Sequence, residues 1–168
     1  NAIGSAIRHF STAHQLSAPD AWKTDYENTL LLNKELAEAY YLNGELEKSQ
    51  DLIFNCLEKA TNPIDRADIY YVWMLRLALE SKYDEALDAA INGLKELEYD
   101  FPKTTTQEEV QINLQKIIAY FQEHPIPTLY DLPLMTSEKY KAVMKIMDNL
   151  TAPLYLGGKT ELWILHVF

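Results

Sequence analysis

Leu36-Ala37-Glu38-Ala39-Tyr40-Tyr41-Leu42-Asn43-Gly44-Glu45-Leu46-Glu47-Lys48-Ser49 is the stretch whose reading decides the fold. It returns without a gap 37 residues later, as residues 73–86. Leu36-Ala37 matches Trp73-Met74, and Tyr40 matches Leu77. Gly44 matches Ser81, and Leu46 matches Tyr83. Ser49, Ile53 and Cys56 match Ala86, Ala90 and Gly93. Each place has a packing reason. A large-small pair and a bulky residue three further on fill the space between helices. A small residue then takes the turn, and Gly44 does so cheaply in the left-handed conformation. The three small or medium positions that follow let two antiparallel helices approach closely. Trp73, at the large position, is expected to be buried.

The helical period extends outward from this unit in both directions. Residues 3–16 place Ile3, Ala6, Ile7, Phe10 and Ala13 at helical spacing, and residues 24–43 do so with Leu32, Leu36, Ala39 and Tyr40. Residues 45–60 carry Leu46, Leu52, Ile53, Cys56 and Leu57. Residues 65–80 are apolar nearly all round, the pattern of a helix covered on several sides. Residues 84–99 turn Ala86, Leu87, Ala90, Ile91, Leu94 and Leu97 inward. Thr106 and Glu109 make a capping box that opens a helix to about Glu123, with Val110, Leu114, Ile117, Ile118 and Phe121 inward. Thr136 or Ser137 caps another through Leu150, with Tyr140, Val143, Met144, Met147 and Leu150 inward, and a last one begins near Thr160. All seven prolines fall between these segments. No segment alternates as a strand does, so the fold class is all-α, built from antiparallel helix pairs with additional C-terminal helices.

Composition agrees. Gly 5 and Pro 7 amount to about 7% of 168 residues, against roughly 12% in ordinary chains. So few breakers argue against sandwiches, barrels and Gly-rich nucleotide-binding folds. Lys+Arg 15 against Asp+Glu 25 leaves a charge of −10, which repels phosphate backbones and excludes nucleic acid as an expected partner. The single cysteine, Cys56, forbids an internal disulfide and fits a reducing, cytoplasmic compartment. The apolar stretch Ile69 to Leu79 contains Arg76 and is too short for a bilayer, so membrane insertion is not expected. Asn1 at the start and the apolar run Trp163 to Phe168 at the end read as cuts, giving an excerpt of a larger protein.

The hairpin residues 41–49 and Lys82-Tyr83-Asp84-Glu85-Ala86 carry a grammar that resembles the tetratricopeptide repeat, a helix–turn–helix unit of about 34 residues. The resemblance implies a right-handed array of stacked helix pairs. Residues 1–104 would then be the second helix of an earlier repeat followed by two pairs, and residues 105–168 further helices continuing the stack. Asn33 stands where the repeat usually has a large aromatic. A narrower set, Ala21-Trp22-Lys23-Thr24-Asp25-Tyr26-Glu27 with residues 36–44, 83–86, Leu94-Lys95, Phe101-Pro102 and residues 132–135, resembles the helical region of very large bacterial multi-sensor signalling kinases. In that family an AAA-type ATPase module precedes these helices, and GAF and histidine kinase modules follow. A serine/threonine kinase domain often stands at the N-terminus. The resemblance implies a non-catalytic scaffold or relay between such modules, in contact with other domains of the polypeptide or with another protein.

No catalytic, cofactor-binding or metal site is expected. Gly157-Gly158-Lys159-Thr160 has the tail of a phosphate loop, but Pro153 stands where that loop needs glycine, so a helix cap is the reading. His9 and His14 are five apart, on different helix faces, and no Cys/His spacing fits zinc. A helical phosphotransfer domain using one of them is the third functional reading. The acidic run Asp84, Glu85, Asp88, Glu96, Glu98, Asp100 reads as a solvated face. The informative surface is the one lined by the first helix of each pair. The repeat family's carboxylate clamp, carried over, falls on Lys34 and Glu38, then on Tyr71 and Leu75. Glu38 repels a carboxylate and the last two are apolar, so the clamp is absent. Lys34, Glu38, Tyr41, Tyr71, Leu75 and Leu79 would form a protein-contact groove, covered by the later helices or by a partner. A stand-alone adaptor that binds a peptide in this groove is the alternative reading. The apolar C-terminal run is expected to fold back near Val143, Met144 and Met147 or to pair with a second copy.

Overall fold

Two successive hairpins share their helix bounds end for end. α3 (Tyr26–Leu42) and α4 (Leu46–Lys59) correspond, 37 residues on, to α5 (Pro63–Leu79) and α6 (Tyr83–Glu96). The computed structural model describes residues 2–167, so Asn1 and Phe168, named above at the two ends, lie outside the described residues. The other elements are α1 (Ala2–Leu16), α2 (Ala21–Thr24), α7 (Gln107–Glu123), a 3-10 turn (Ile126–Asp131), α8 (Glu138–Leu156) and α9 (Thr160–Val167). Among the described residues there are nine α-helices and no strand. They form two compact units, one ending at Ile69 and the other starting at Tyr70, with α5 passing from the first into the second.

The turn between the helices of each pair is the same closed structure. After α3, Gly44 takes φ +81°, its N–H bonds the Tyr41 carbonyl, and the Glu45 N–H bonds the Tyr40 carbonyl. After α5, Ser81 takes φ +60°, with Ser81 N–H on Ala78 and Lys82 N–H on Leu77. This double bond satisfies carbonyls that the end of a helix leaves open. Glu98 closes the end of α6 and Gly158 the end of α8 in the same way. Gly157-Gly158-Lys159-Thr160 is thus a helix C-cap, and residues 154–156, where a phosphate loop needs a strand, are the last turn of α8.

In the first unit α3 packs on α4 and on α1, and α2 packs on α3. Leu36, Ala37, Ser49, Ile53 and Cys56 are buried, the positions the repeat assigns to the interface. Two expectations change. The helix from residue 24 is interrupted at Asp25 (φ −146°, ψ 58°), which leaves α2 as a separate turn and starts α3 at Tyr26. The Asp25 carbonyl accepts from both the N–H (3.0 Å) and the hydroxyl (2.6 Å) of Thr29, which stabilises the break. Ala13, expected inward, is exposed. α1 leans on α3 alone among its main neighbours, and has no fully buried residue. Asn33, in the aromatic's place, is buried and donates its amide to the Thr29 carbonyl at 2.8 Å.

In the second unit α6 packs on α8, α8 on α9, and α7 on α9. The inward set of α6 is buried in full: Ala86, Leu87, Ala90, Ile91, Leu94 and Leu97. Trp73 is only half-buried, and Met74 beside it takes the core position instead. The Trp73 ring is capped by the Arg76 guanidinium, 4.7 Å from its centroid. Arg76 is itself buried and bonds Glu80 at 3.1 Å. One turn of α5 therefore carries a charge inside an apolar run, and the indole serves as its cover. α8 runs to Leu156 with Pro153 inside it, not to Leu150 with the proline as a joint. The proline forgoes the N–H bond to the Asn149 carbonyl, but only three residues follow it, so little helix lies beyond the break. Its buried face is Val143, Ile146, Met147, Leu150 and Leu154, while Tyr140 and Met144, expected inward, are exposed.

α7 departs most from expectation. The capping box is present: Thr106 accepts from the Glu109 N–H at 3.2 Å, and the Glu109 carboxylate accepts from the Thr106 N–H at 2.9 Å. Yet none of its residues is fully buried, and Ile118 and Phe121 are exposed. Its main neighbour, α9, has 8 residues against its 17, roughly 12 Å of helix against 25 Å. α9 does fold back on α8, as the first of its two expected options: Leu162 is buried, the Trp163 and Tyr155 rings lie 5.6 Å apart, and the His166 imidazole meets the Met147 carbonyl.

Candidate functional site

The exposed face of α3 carries Glu27, Leu31, Lys34, Glu38 and Tyr41, spaced so that they line one side of the helix. At its N-terminal end this face borders a cleft of about 380 Å³ within the first unit. Tyr26, Glu27, Leu30, Leu31 and Lys34 from α3 and Asn62 and Asp65 from the start of α5 line it. Asn62 caps α5: its side-chain oxygen accepts from the Ile64 N–H at 2.8 Å, and Pro63, which has no N–H to lose, takes the first helical position. That geometry presents Asp65 from the first turn toward α3.

Two polar contacts shape the cleft. The Tyr26 hydroxyl donates to Asp65 at 2.9 Å. Burial, then the Asp65 hydrogen bond, holds the Tyr26 phenol above its usual range, so it stays a donor. The Lys34 ammonium is paired with Asp68 one turn further along α5. Leu30 is buried and forms an apolar wall, and Leu31 is 54% exposed at the rim. The Tyr26 ring is fixed edge-to-face against Trp22, centroids 6.1 Å apart.

Of the groove residues, Lys34, Glu38 and Tyr41 belong to the first unit; Lys34 faces Asp68, Glu38 is exposed and Tyr41 is half-buried. Tyr71, Leu75 and Leu79 lie on the part of α5 in the second unit. Tyr71 is covered by α8, whose Lys145 ammonium sits 4.2 Å from the ring centroid; Leu75 is half-buried and Leu79 is 72% exposed. The acidic run of α6 is not simply solvated. Lys159 pairs with Asp84 at 2.7 Å, Lys103 with Asp88 at 2.5 Å and Lys139 with Glu98 at 2.8 Å. Lysines from three later segments thus tie back to α6 and the turn that closes it, each pair exposed and individually weak.

Sequence reading missed the cleft itself. The sequence reads Pro63 as a joint before a helix at residues 65–80, whereas α5 starts at Pro63, and only tertiary packing brings Asp65 to Tyr26 across 39 residues. Sequence reading also missed how many large apolar side chains are exposed from α7 onward. Ile112, Ile118, Tyr120 and Phe121 are followed by Ile126, Leu132 and Met135, all exposed, and Tyr130 and Leu134 are each 91% exposed. Cys56 is 1% exposed, and burial pushes its thiol up to about 11, which suits packing and not nucleophilic work. Among the described residues no group of His, Cys, Asp and Glu has a metal-binding arrangement, and no helix is long and apolar enough to cross a membrane. Compared with protein families, curated proteins and solved structures, the chain finds no match.

Proposed function

We propose that this chain is a non-catalytic helical-repeat scaffold that makes protein–protein contacts within a larger signal-transduction protein, of the multi-sensor kinase type its motifs resemble. In this reading the hairpins of α3–α4 and α5–α6 are successive tetratricopeptide-like units of a right-handed stack, and the later helices continue it. The identical helix bounds and identical closing turns support the repeat. The observation that carries the contact role is the uncovered apolar surface between Ile112 and Met135. Chains that work alone in water seldom leave so many large apolar side chains exposed within one segment without a partner for them.

The test is site-specific photocrosslinking of the protein in its own cell, with benzoylphenylalanine at Leu31, Leu79 or Leu134. Adducts mapped by mass spectrometry to other domains of the same polypeptide support the relay. Adducts mapped to a separate protein support the adaptor alternative, which the open Leu79 end of α5 favours. Absence of any protein adduct at all three positions overturns both. ATP turnover by the purified chain that is lost in Lys159→Ala would overturn the non-catalytic reading.

A further inference from the structure

The cleft between α3 and the start of α5 has a charge balance that selects its occupant. Its carboxylates are Glu27 and Asp65; the cation among its described lining residues is Lys34, which Asp68 already holds. Glu27 makes no ion pair among the described residues, and Asp65 receives only the neutral Tyr26 hydroxyl. Most backbone donors at the start of α5 are meanwhile taken, leaving the Asp65 N–H and the Asn62 amide nitrogen beside the two carboxylates. Pro63 has no N–H, the Ile64 N–H is taken by the Asn62 side chain, and the Arg66 N–H by the Asn62 carbonyl. An anionic ligand would meet the two carboxylates, Glu27 and Asp65, at the mouth of the cleft. A planar cation would find acceptors from both helices, the face of a fixed tyrosine ring, and the leucine wall for an aliphatic stem.

We propose that this cleft seats the guanidinium of an arginine side chain presented by a basic segment of a protein partner. Glu27 and Asp65 accept its N–H groups, Tyr26 flanks its plane and Leu30 with Leu31 packs on its methylenes. The assignment rests on the scaffold reading only in taking the arginine from a protein. It names an acidic receptor where the repeat fold's clamp would have been basic, and it agrees with the net charge of −10. Recognition of this kind also predicts steep weakening with salt, because the acceptors are partly open to water.

The probe is N-acetyl-arginine N-methylamide, titrated into the isotopically labelled chain while amide ¹⁵N–¹H spectra are recorded. Its citrulline twin has the same shape without the charge. The expected result is saturable shifts at Glu27, Leu31, Lys34 and Asp65, at least tenfold weaker with citrulline and at least threefold weaker in 500 mM than in 50 mM salt. Glu27→Gln should weaken binding at least threefold; Glu27 is exposed, so its fold is safe, and Asp65→Asn serves as the second variant. Equal binding of citrulline, shifts scattered over the acidic surface, or unchanged affinity in both variants would overturn the proposal. The outcome separates from that of crosslinking. Protein adducts with no arginine binding remove the cleft's assignment alone, whereas arginine binding with no protein adducts leaves a cation site and removes the scaffold.

Discussion

α6 and α7 stand in the same unit and differ in what makes them helices. α6 has no side-chain cap at its N-terminus, yet seven of its fourteen residues are buried. α7 has a complete capping box and seventeen residues, none of them buried. The first is held by its neighbours and the second by its own sequence. α6 packs on α8 and its alanines are buried, so its hydrophobic period translates into core. The equally regular period of α7 finds only α9 as a main neighbour and remains a surface. Amphipathic periodicity specifies a helix and a face; it does not specify that the same chain supplies what covers the face.

The sharpest way to break this comparison is a matched pair of truncations. Leu94→Ala should cost about 3 kcal/mol in urea unfolding, as for a leucine removed from a close-packed core. Ile118→Ala in α7 should cost under about 1 kcal/mol. Similar losses at the two sites would mean that α7 is as much core as α6. Ala90→Leu tests the packing around α6 directly. It is fully buried and should lose about 1–3 kcal/mol to overpacking. A neutral result would show that α6 has room it is not using.

Thr106→Ala should remove about 1 kcal/mol of local helix stability, visible as faster amide exchange in the first turns of α7. The exchange of α6 should not move. If it does, the two helices are coupled and the contrast fails. Ser81→Gly, in the turn that leads into α6, should gain up to about 0.5 kcal/mol, since serine there sits at φ +60° and glycine holds the matching place at Gly44. The smallest effect is that of acid. Hydrogen bonds from Lys159 to Asp84 and from Lys139 to Glu98 hold both carboxyls below their ordinary values of 3.8 and 4.5. The Thr106 N–H does the same for Glu109, also ordinarily 4.5. Because each folded value is the lower one, the stabilisation is complete above the ordinary values and is lost as pH falls through the lowered ones. Circular dichroism between pH 5 and 2 should show α7 fraying in that window, and Glu109→Gln should flatten its part of the profile.

Much of this was legible in advance because it is local. The Gly44 turn, the Thr106 box and the inward face of α6 are written in residues a few positions apart, and the 37-residue return repeats such a local pattern. The illegible parts depend on distant residues. Nothing near Trp73 announces that Arg76 will lie on its ring, because the choice between Trp73 and Met74 for the core is a rotation of less than one turn. Tyr140 and Met144 share the apolar period of α8 and still face water, since the buried stripe runs through Ile146 and Leu154 instead. Pro153 reads as a joint until the helix is seen to end three residues later. The groove residues were placed on the right helices, but the concavity lies at the Tyr26 end, built by an asparagine cap and an aspartate that no spacing rule connects to α3.

Cys56, the sole cysteine, is wedged in the α3–α4 hairpin with almost no exposed surface. Its consequence is a built-in clock. A thiol reagent can reach it only when α4 lifts away, so the labelling rate counts opening events of one hairpin while the rest of the chain stays silent. Mass spectrometry of the alkylated fraction over time would read that frequency without any engineered reporter. Because the second hairpin carries Gly93 at the matching position, a Gly93→Cys chain lacking Cys56 would set a second clock in the companion unit. The ratio of the two rates would show whether the repeats breathe separately or as one.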